Sequence, residues 1–343
     1  MNENKKIAVI GGGSFGTSLA ILLAGKGYEV RLWVYEKSLA AEMKEDRVNR
    51  LYLPGHRIPD NVSPSTDMEE VLRCPDMILQ VCPSHVVRRV MEEAYRYFPK
   101  DVPIVSASKG IENDSLMTVD EILFDILPGR FHRCLAYISG PSFAQEVAAG
   151  IPTVVVAASR NLEVAGTVQE TFSTPTFRVY TSEDVAGVEL GGALKNVIAI
   201  AAGTAAGLGL GHNTQAALIT RGLAEITRLA VKKGANPLTL SGLAGVGDLV
   251  LTCTGELSRN RSVGFQLGQG KSLKEILASM KMVAEGVKTA KSAYDLSVKE
   301  GVEMPLSEQT YNILYRDTSP SDAVFSLMTR RLKHERVGLD EPA

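Results

Sequence analysis

The stretch Ile7-Ala-Val-Ile-Gly-Gly-Gly-Ser-Phe-Gly16 decides the fold. Lys6–Ile10 is a short apolar run that reads as a strand, and Ser14–Lys26 carries Phe15, Leu19, Leu22 and Leu23 at helical spacing. Between them Gly11, Gly13 and Gly16 form G-x-G-x-x-G. Alone the pattern is weak, because glycine-rich turns are common. Directly after a strand and at the opening of a helix, it predicts a turn that holds the pyrophosphate of a dinucleotide. Gly11 permits the tight turn, Gly13 removes a Cβ so that phosphate can approach the backbone, and Gly16 lets helix and strand pack closely. The helix N-terminus, opened by Ser14 and Phe15, adds free N–H groups and a partial positive charge.

The choice of dinucleotide is not decided by the sequence. An acidic side chain about 20 residues beyond the turn holds the ribose hydroxyls of NAD. Here the second strand, Glu29–Val34, runs into Tyr35-Glu-Lys37, so Tyr35 stands where the acid is expected. Glu36 suits a ribose, whereas Lys37 or Arg31 suits the 2′-phosphate of NADP.

Outward from the turn, strands continue at Asp76–Val81, Pro103–Ala107, Leu135–Ser139 and Thr153–Ala157, with helices such as His85–Phe98 and Leu116–Leu127 between them. That alternation predicts an α/β Rossmann-like, doubly wound parallel sheet. Beyond Tyr180 the pattern becomes helical throughout: Glu183–Gly207, Thr214–Lys233, Leu273–Met280, Val287–Lys299, Ser307–Arg316 and Ser321–Lys333. The expectation is a dinucleotide-binding domain over 1–180, an all-α substrate domain over 181–336 and a frayed tail over 337–343. The boundary is placed near the polar stretch 173–182.

At 343 residues the chain has room for about two domains. Its 45% hydrophobic and 22% charged residues exclude whole-chain disorder, and a net charge of −2 gives no global pull toward nucleic acid or anionic lipid. No apolar run is read as reaching the ~18 residues that span a bilayer without interruption by charge or turn signals, and no secretory leader is read at the N-terminus. Cys74, Cys82, Cys134 and Cys253 show no metal-ligand spacing with each other or with histidine. A reducing, cytoplasmic setting without disulfides or a metal is expected.

Several residues stand in surroundings that suit chemistry. Lys195 lies in Glu189-Leu-Gly-Gly-Ala-Leu-Lys-Asn196, and no charged residue follows it until Arg221. A helix so poor in charge is expected to be buried, and a buried lysine loses part of its preference for the charged form, as a general base requires. Asn196 supplies a neutral amide beside it. Its interior glycines each cost roughly 1 kcal/mol against alanine, so close packing or a ligand should compensate. Lys109 and the Gly140/Ser142 pair follow strands whose carboxyl ends form the ligand crevice of a doubly wound sheet. Asp248 either caps a helix or enters a site, with Thr252 on the same face. Ser258, Arg259 and Asn260 together suit a phosphate. Glu285 either meets a cofactor hydroxyl or favours a helix dipole. His212 is more simply a polar turn residue.

These segments together resemble the bacterial NAD(P)-dependent sn-glycerol-3-phosphate dehydrogenases along almost the whole chain. The carrying motifs are Gly11–Gly16, Ser108–Ile111, Ser139–Ala144, Glu189–Asn196, Asn213–Gly222, Gly245–Leu249, Ser258–Arg261 and Val283–Gly286. The resemblance implies that Lys195 accepts the proton of the C2 hydroxyl and that Lys109 contacts substrate and cofactor. It implies a substrate pocket of Gly140, Ser142, Asp248, Ser258, Arg259 and Asn260, with Arg259 and Asn260 on the phosphate. Ser14, Phe15, Tyr35, Ala144, Arg259, Val283 and Glu285 would line NAD or NADP. It further implies net reduction of dihydroxyacetone phosphate, giving sn-glycerol 3-phosphate for phospholipid synthesis. A homodimer is the base-rate expectation for assembly. Two rivals stand beside it: a related dehydrogenase of a 3-hydroxy acid or ketopantoate, and a dinucleotide sensor without turnover.

Overall fold

The structure is a computed structural model that describes residues 5–280 and 284–335. Val283 and the tail expected at 337–343 lie outside the described residues. The chain divides into two compact units, Met1–Lys109 with Met117–Glu189, and Gly110–Leu116 with Leu190–Ala343. The division therefore falls inside a helix, later than the expected 180/181, and a short segment before it belongs with the second unit.

The first unit is built on strands β1 Lys6–Ile10, β2 Glu29–Trp33, β3 Val48–Asn49, β4 Leu53–Arg57, β5 Val62–Ser65, β6 Met77–Gln80, β7 Ile104–Ser106, β8 Leu135–Ser139, β9 Thr153–Ala158 and β10 Phe177–Ser182. Its helices are α1 Ser14–Gly25, α2 Lys37–Glu45, α3 Met68–Val71, α4 Val87–Ala94, α5 Val119–Ile126, α6 Ala144–Ala148 and α7 Leu162–Phe172. Eight strands form one sheet in the order β10-β9-β8-β7-β6-β1-β2-β5, and β3 pairs with β4 in a separate ribbon. Strands β1, β6, β7 and β8 are buried almost throughout, as a sheet covered on both faces requires, whereas edge strand β10 alternates buried and exposed. Chain order reverses between β1, which continues to β2, and β6, which lies on its other side. That reversal opens the crevice at the carboxyl ends of the strands.

One expectation needs correction here. The sheet is parallel except for β8 against β9, because the link through α6 stays at the carboxyl end of β8 instead of crossing back. Residues 173–182 hold a turn and a strand: Phe177 N–H donates to the Thr174 hydroxyl at 2.9 Å, and the turned chain enters β10.

The second unit takes up α8 Val185–Gly207 from Leu190 onward, then adds α9 His212–Lys232, α10 Pro237–Leu240, α11 Asp248–Thr254, α12 Arg259–Gly268, α13 Leu273–Ser279, α14 Glu285–Glu300, α15 Pro305–Tyr315 and α16 Pro320–Met328. By length and mean hydropathy, α8 and the segment Pro237–Thr254 would suffice to cross a bilayer, though charges interrupt both, Lys195 in the first and Asp248 in the second. Helix α8 is instead a core helix, with 89% of its apolar window buried. Its glycines answer the sequence question of what offsets their cost. A Cβ at Gly203 would stand 2.0 Å from the Arg261 carbonyl oxygen, and one at Gly264 would stand 2.0 Å from that of Ile200. Helices α8 and α12 thus touch backbone to backbone, a separation that any side chain would forbid.

Candidate active site

The glycine turn has the shape its spacing predicts. Gly11 sits at φ +124°, where L side chains are strained, and a Cβ on Gly16 would lie 1.9 Å from the Gly11 carbonyl oxygen. Gly13 faces open space and is the N-cap of α1, so it has no side chain to cap the first N–H groups. Those groups and the space before them fit phosphate oxygens. Ser14 and Phe15, half-buried, open the helix. The buried Asn49 was missed in the sequence: its amide donates to the Gly12 carbonyl and to the Thr17 hydroxyl, both at 2.9 Å, and so braces the turn. No local pattern marks it, because it reaches the turn from β3.

At the end of β2, Tyr35 is 68% exposed, and its ring meets Trp33 edge-on with centroids 6.1 Å apart. The neighbouring Glu36 accepts a 2.7 Å hydrogen bond from the Tyr52 hydroxyl, a second unforeseen contact. Arg31 is turned away, donating to Glu29 at 2.9 Å and to the Arg73 carbonyl at 2.6 Å. Of the groups weighed from the sequence, Arg31 is committed elsewhere.

Further along the crevice, Lys109 Nζ donates to the Gly140 carbonyl at 3.3 Å, and Ser142 Oγ donates to the same oxygen at 2.9 Å. Gly140 has φ +141°, and a Cβ there would stand 3.0 Å from Val155 Cα. Lys109, Gly140 and Ser142 are therefore one cluster, with Ala144 opening α6 just beyond.

In the helical unit, Lys195 Nζ donates to Asp248 Oδ1 in a close ion pair and to Thr252 Oγ1 at 3.0 Å. Both ionic side chains are buried, Lys195 at 9% and Asp248 at 1% exposure. Asp248 opens α11 after a π-helical turn, Leu243–Gly247, and its carboxylate points at the lysine. Thr252 lies one turn on and donates to the Asp248 carbonyl at 2.6 Å, which leaves its lone pairs to Lys195. Cys253 is buried nearby, and desolvation holds its thiol up at about 12, so it stays protonated.

Asn196 faces a different partner. Its side-chain oxygen accepts from Asn260 Nδ2 at 2.9 Å, and Asn260 Oδ1 accepts from the Gly286 N–H at 3.0 Å. Asn260 thus ties α8 to the start of α14, with one amide N–H left over for a ligand. Ser258 is the N-cap of α12 and accepts from the Arg261 N–H at 3.2 Å, so its hydroxyl is partly committed to structure. Arg259 is exposed at the first position of α12, and Glu285 is the first residue of α14. His212 is exposed at the first position of α9. Among the described residues no group of histidine, cysteine or acidic side chains is arranged to hold a metal, and all four cysteines are free thiols.

Comparison with known proteins agrees with this geometry. The model of the NAD-dependent glycerol-3-phosphate dehydrogenase N-terminus matches residues 6–165, and that of its C-terminus matches residues 184–325. A glycerol-3-phosphate dehydrogenase [NAD(P)+] of Citrifermentans bemidjiense is 60% identical over 333 residues, covering 97% of this chain and 99% of the relative. The crystal structure of glycerol-3-phosphate dehydrogenase from Coxiella burnetii superposes with a TM-score of 0.90 at 41% identity, over 95% of this chain and 99% of that one. A ketopantoate reductase from Ralstonia eutropha shares the fold alone, with a TM-score of 0.59 at 16% identity over 93% of this chain and 99% of that one. The chain belongs to the NAD-dependent glycerol-3-phosphate dehydrogenase family.

Proposed function

We propose that this protein interconverts dihydroxyacetone phosphate and sn-glycerol 3-phosphate with NAD(H) or NADP(H), supplying sn-glycerol 3-phosphate for phospholipid synthesis. The observation that carries the reading is the buried Lys195–Asp248–Thr252 cluster within a chain that matches the family over both its halves. Ketopantoate reduction and a silent sensor are disfavoured, since the first shares only the fold and the second has no need of a buried proton carrier.

The turn at Gly11, Gly13 and Gly16, with Ser14 and Phe15, would hold the dinucleotide phosphates; Tyr35, Lys109, Ala144, Arg259, Val283 and Glu285 complete its proposed contacts. When bound, the nicotinamide supplies the hydride to C2 or takes it away. The protein's part is proton transfer and positioning. In the reducing direction the Lys195 ammonium donates its proton to the oxygen on C2 as negative charge develops there; in the reverse direction the neutral amine takes the hydroxyl proton. Asp248 stabilises the ammonium, and Thr252 fixes where Nζ points. Lys109 is assigned to the same oxygen, with Gly140 and Ser142 beside it. Arg259, at a helix N-terminus with Ser258, is assigned to the substrate phosphate, and Asn260 and Asn196 hold the surrounding backbone in register. Gripping the phosphate uses binding remote from the reacting atoms to fix C2. We further assign the enzyme to the cytoplasm, which its free thiols suit, and to a homodimer, which sedimentation would read.

The test is nicotinamide absorbance on mixing the protein with dihydroxyacetone phosphate and either NADH or NADPH. Rapid oxidation supports the assignment, and the two rates rank the cofactors. Folded, cofactor-binding protein that oxidises neither would refute it.

A further inference from the structure

We propose that Glu189 is a positioning residue for Lys195: its buried carboxyl anchors the first turns of α8 on the N-terminus of α5, and so fixes the helix that carries the lysine. The inference rests on the role given to Lys195 above. Glu189 Oε2 accepts the Asp120 N–H at 2.8 Å. Asp120 is the second residue of α5, where backbone N–H groups have no partner within the helix. The next N–H, that of Glu121, is taken by Thr118 in a capping box, and Glu189 serves one that the box leaves. Asp120 itself is committed outward: its carboxylate takes both arms of Arg160, at 2.6 and 2.7 Å, and the guanidinium lies 4.7 Å over the Phe124 ring.

These contacts hold the first turns of α8, which runs on unbroken to Lys195, six residues after Glu189. Gly191 and Gly192 stand between the two, the weakest residues that a helix interior can carry short of proline. Gly191 is held against the Ala244 carbonyl, and Glu189 gives the same helix a second hold two residues earlier.

The anchor also has a protonation state. The groups facing Glu189 are Asp120, Glu121, Arg160 and the buried Tyr137 hydroxyl. Both arms of Arg160 are held by Asp120, so its charge is largely offset where it faces Glu189. Burial first, then the charge on Asp120, raise Glu189 to about 8, against the opposing pull of the Asp120 N–H and the Thr118 hydroxyl. The same surroundings hold the Tyr137 phenol well above its usual value. At neutral pH the anchor is a carboxylic acid; as pH rises through about 8 it becomes an anion beside Asp120 and pushes away from α5.

Two variants test this. Glu189→Gln keeps an acceptor for the Asp120 N–H and cannot ionise, whereas Glu189→Ala removes the anchor. The ratio of kcat for Glu189→Gln to that of the parent should be flat from pH 6 to 7 and rise at least about threefold by pH 9. Ionisation of Lys195 is common to both proteins and cancels in the ratio. Glu189→Ala should lose at least about tenfold in kcat at pH 7, while its Kd for NADH, read by fluorescence titration, stays within about threefold. A ratio that stays flat to pH 9 overturns the proposal, and so does Glu189→Ala with parental kcat. Should Glu189→Ala fail to fold, the ratio decides alone. A parent that lacks turnover refutes the reaction itself, a result distinct from an active parent with a flat ratio.

Discussion

A Cβ placed on Gly191 would stand 2.5 Å from the carbonyl oxygen of Ala244, so α8 and the π-helical turn before Asp248 meet backbone to backbone. Gly191 lies one helical turn before Lys195, and Ala244 lies four residues before Asp248. The contact therefore sets how far apart the lysine and its carboxylate stand. Within the turn, a Cβ on Gly245 would lie 1.9 Å from the Leu240 carbonyl oxygen, which shows how little slack the turn has. Gly191→Ala forces the two backbones apart. Overpacking of this kind costs roughly 1–3 kcal/mol, and a lower Tm should accompany a fall in kcat. Gly166→Ala, in α7 with open space around its Cβ position, is the control. A Gly191→Ala protein with parental kcat would show that the spacing is not critical.

Lys195→Ala should lower kcat by about 10²–10⁴-fold, the usual worth of a positioned acid–base group. It also strands Asp248, a buried carboxylate, without its cation, and breaking such a pair costs about 3–5 kcal/mol. The two effects separate in the double variant Lys195→Met/Asp248→Asn, which removes both charges. Its Tm should recover relative to Lys195→Ala while its kcat stays low. Recovery of both would mean that the lysine matters for stability and not for proton transfer.

Arg259→Ala should raise KM for dihydroxyacetone phosphate roughly 10- to 100-fold, because a hydrogen bond to a charged group is worth about 1.5–3 kcal/mol. Dihydroxyacetone, which lacks the phosphate, provides the internal check: at saturating cofactor, needed because Arg259 is also assigned to the dinucleotide, the rate on it should fall far less than the rate on dihydroxyacetone phosphate. Equal losses on both substrates would take Arg259 off the phosphate and leave it only its cofactor contact or a role in the fold.

The parts of this architecture that rest on local pattern were legible in the sequence. Buried strands read as unbroken apolar runs, and the turn at Gly11–Gly16 declared itself by spacing, since its glycines answer to steric demands within a few residues. Lys195 stood out because a charge-poor helix is visible without a structure. Contacts between distant elements were not legible. Asn49 reaches the glycine turn from β3, Tyr52 reaches Glu36, and Glu189 reaches α5 across 69 positions of sequence. Asn260 was expected at the phosphate because Arg259 stands beside it; that its oxygen and one N–H also bind α14 and α8 could not be read from the sequence. The antiparallel β9 was missed for the same reason: strand direction depends on the path of the connecting chain, which residue type does not encode.

Two buried glutamates should make this protein less stable as the solution becomes more alkaline. Glu225 accepts the N–H groups of Leu306 and Ser307 at 2.6 and 3.1 Å at the start of α15, and burial raises it to about 7 against the pull of those bonds. Glu189 is raised to about 8. A free glutamate titrates near 4.3. Between that value and the raised one, the folded protein holds a proton that the unfolded chain has already released. The contribution to stability is thus complete below about pH 4.3 and is lost as pH rises through about 7 for Glu225 and about 8 for Glu189. Glu303, paired with Arg330 and Lys333, is lowered and acts in the opposite sense, losing stability only as pH falls through its depressed value. From pH 5.5 to 8.5 the buried pair should dominate, and Tm should fall. Glu225→Gln keeps an acceptor for α15 and cannot ionise, so its Tm should fall less over the same range. Parallel Tm curves for Glu225→Gln and parent would show that Glu225 is ionised in the folded protein throughout, held by the helix N–H groups in spite of its burial.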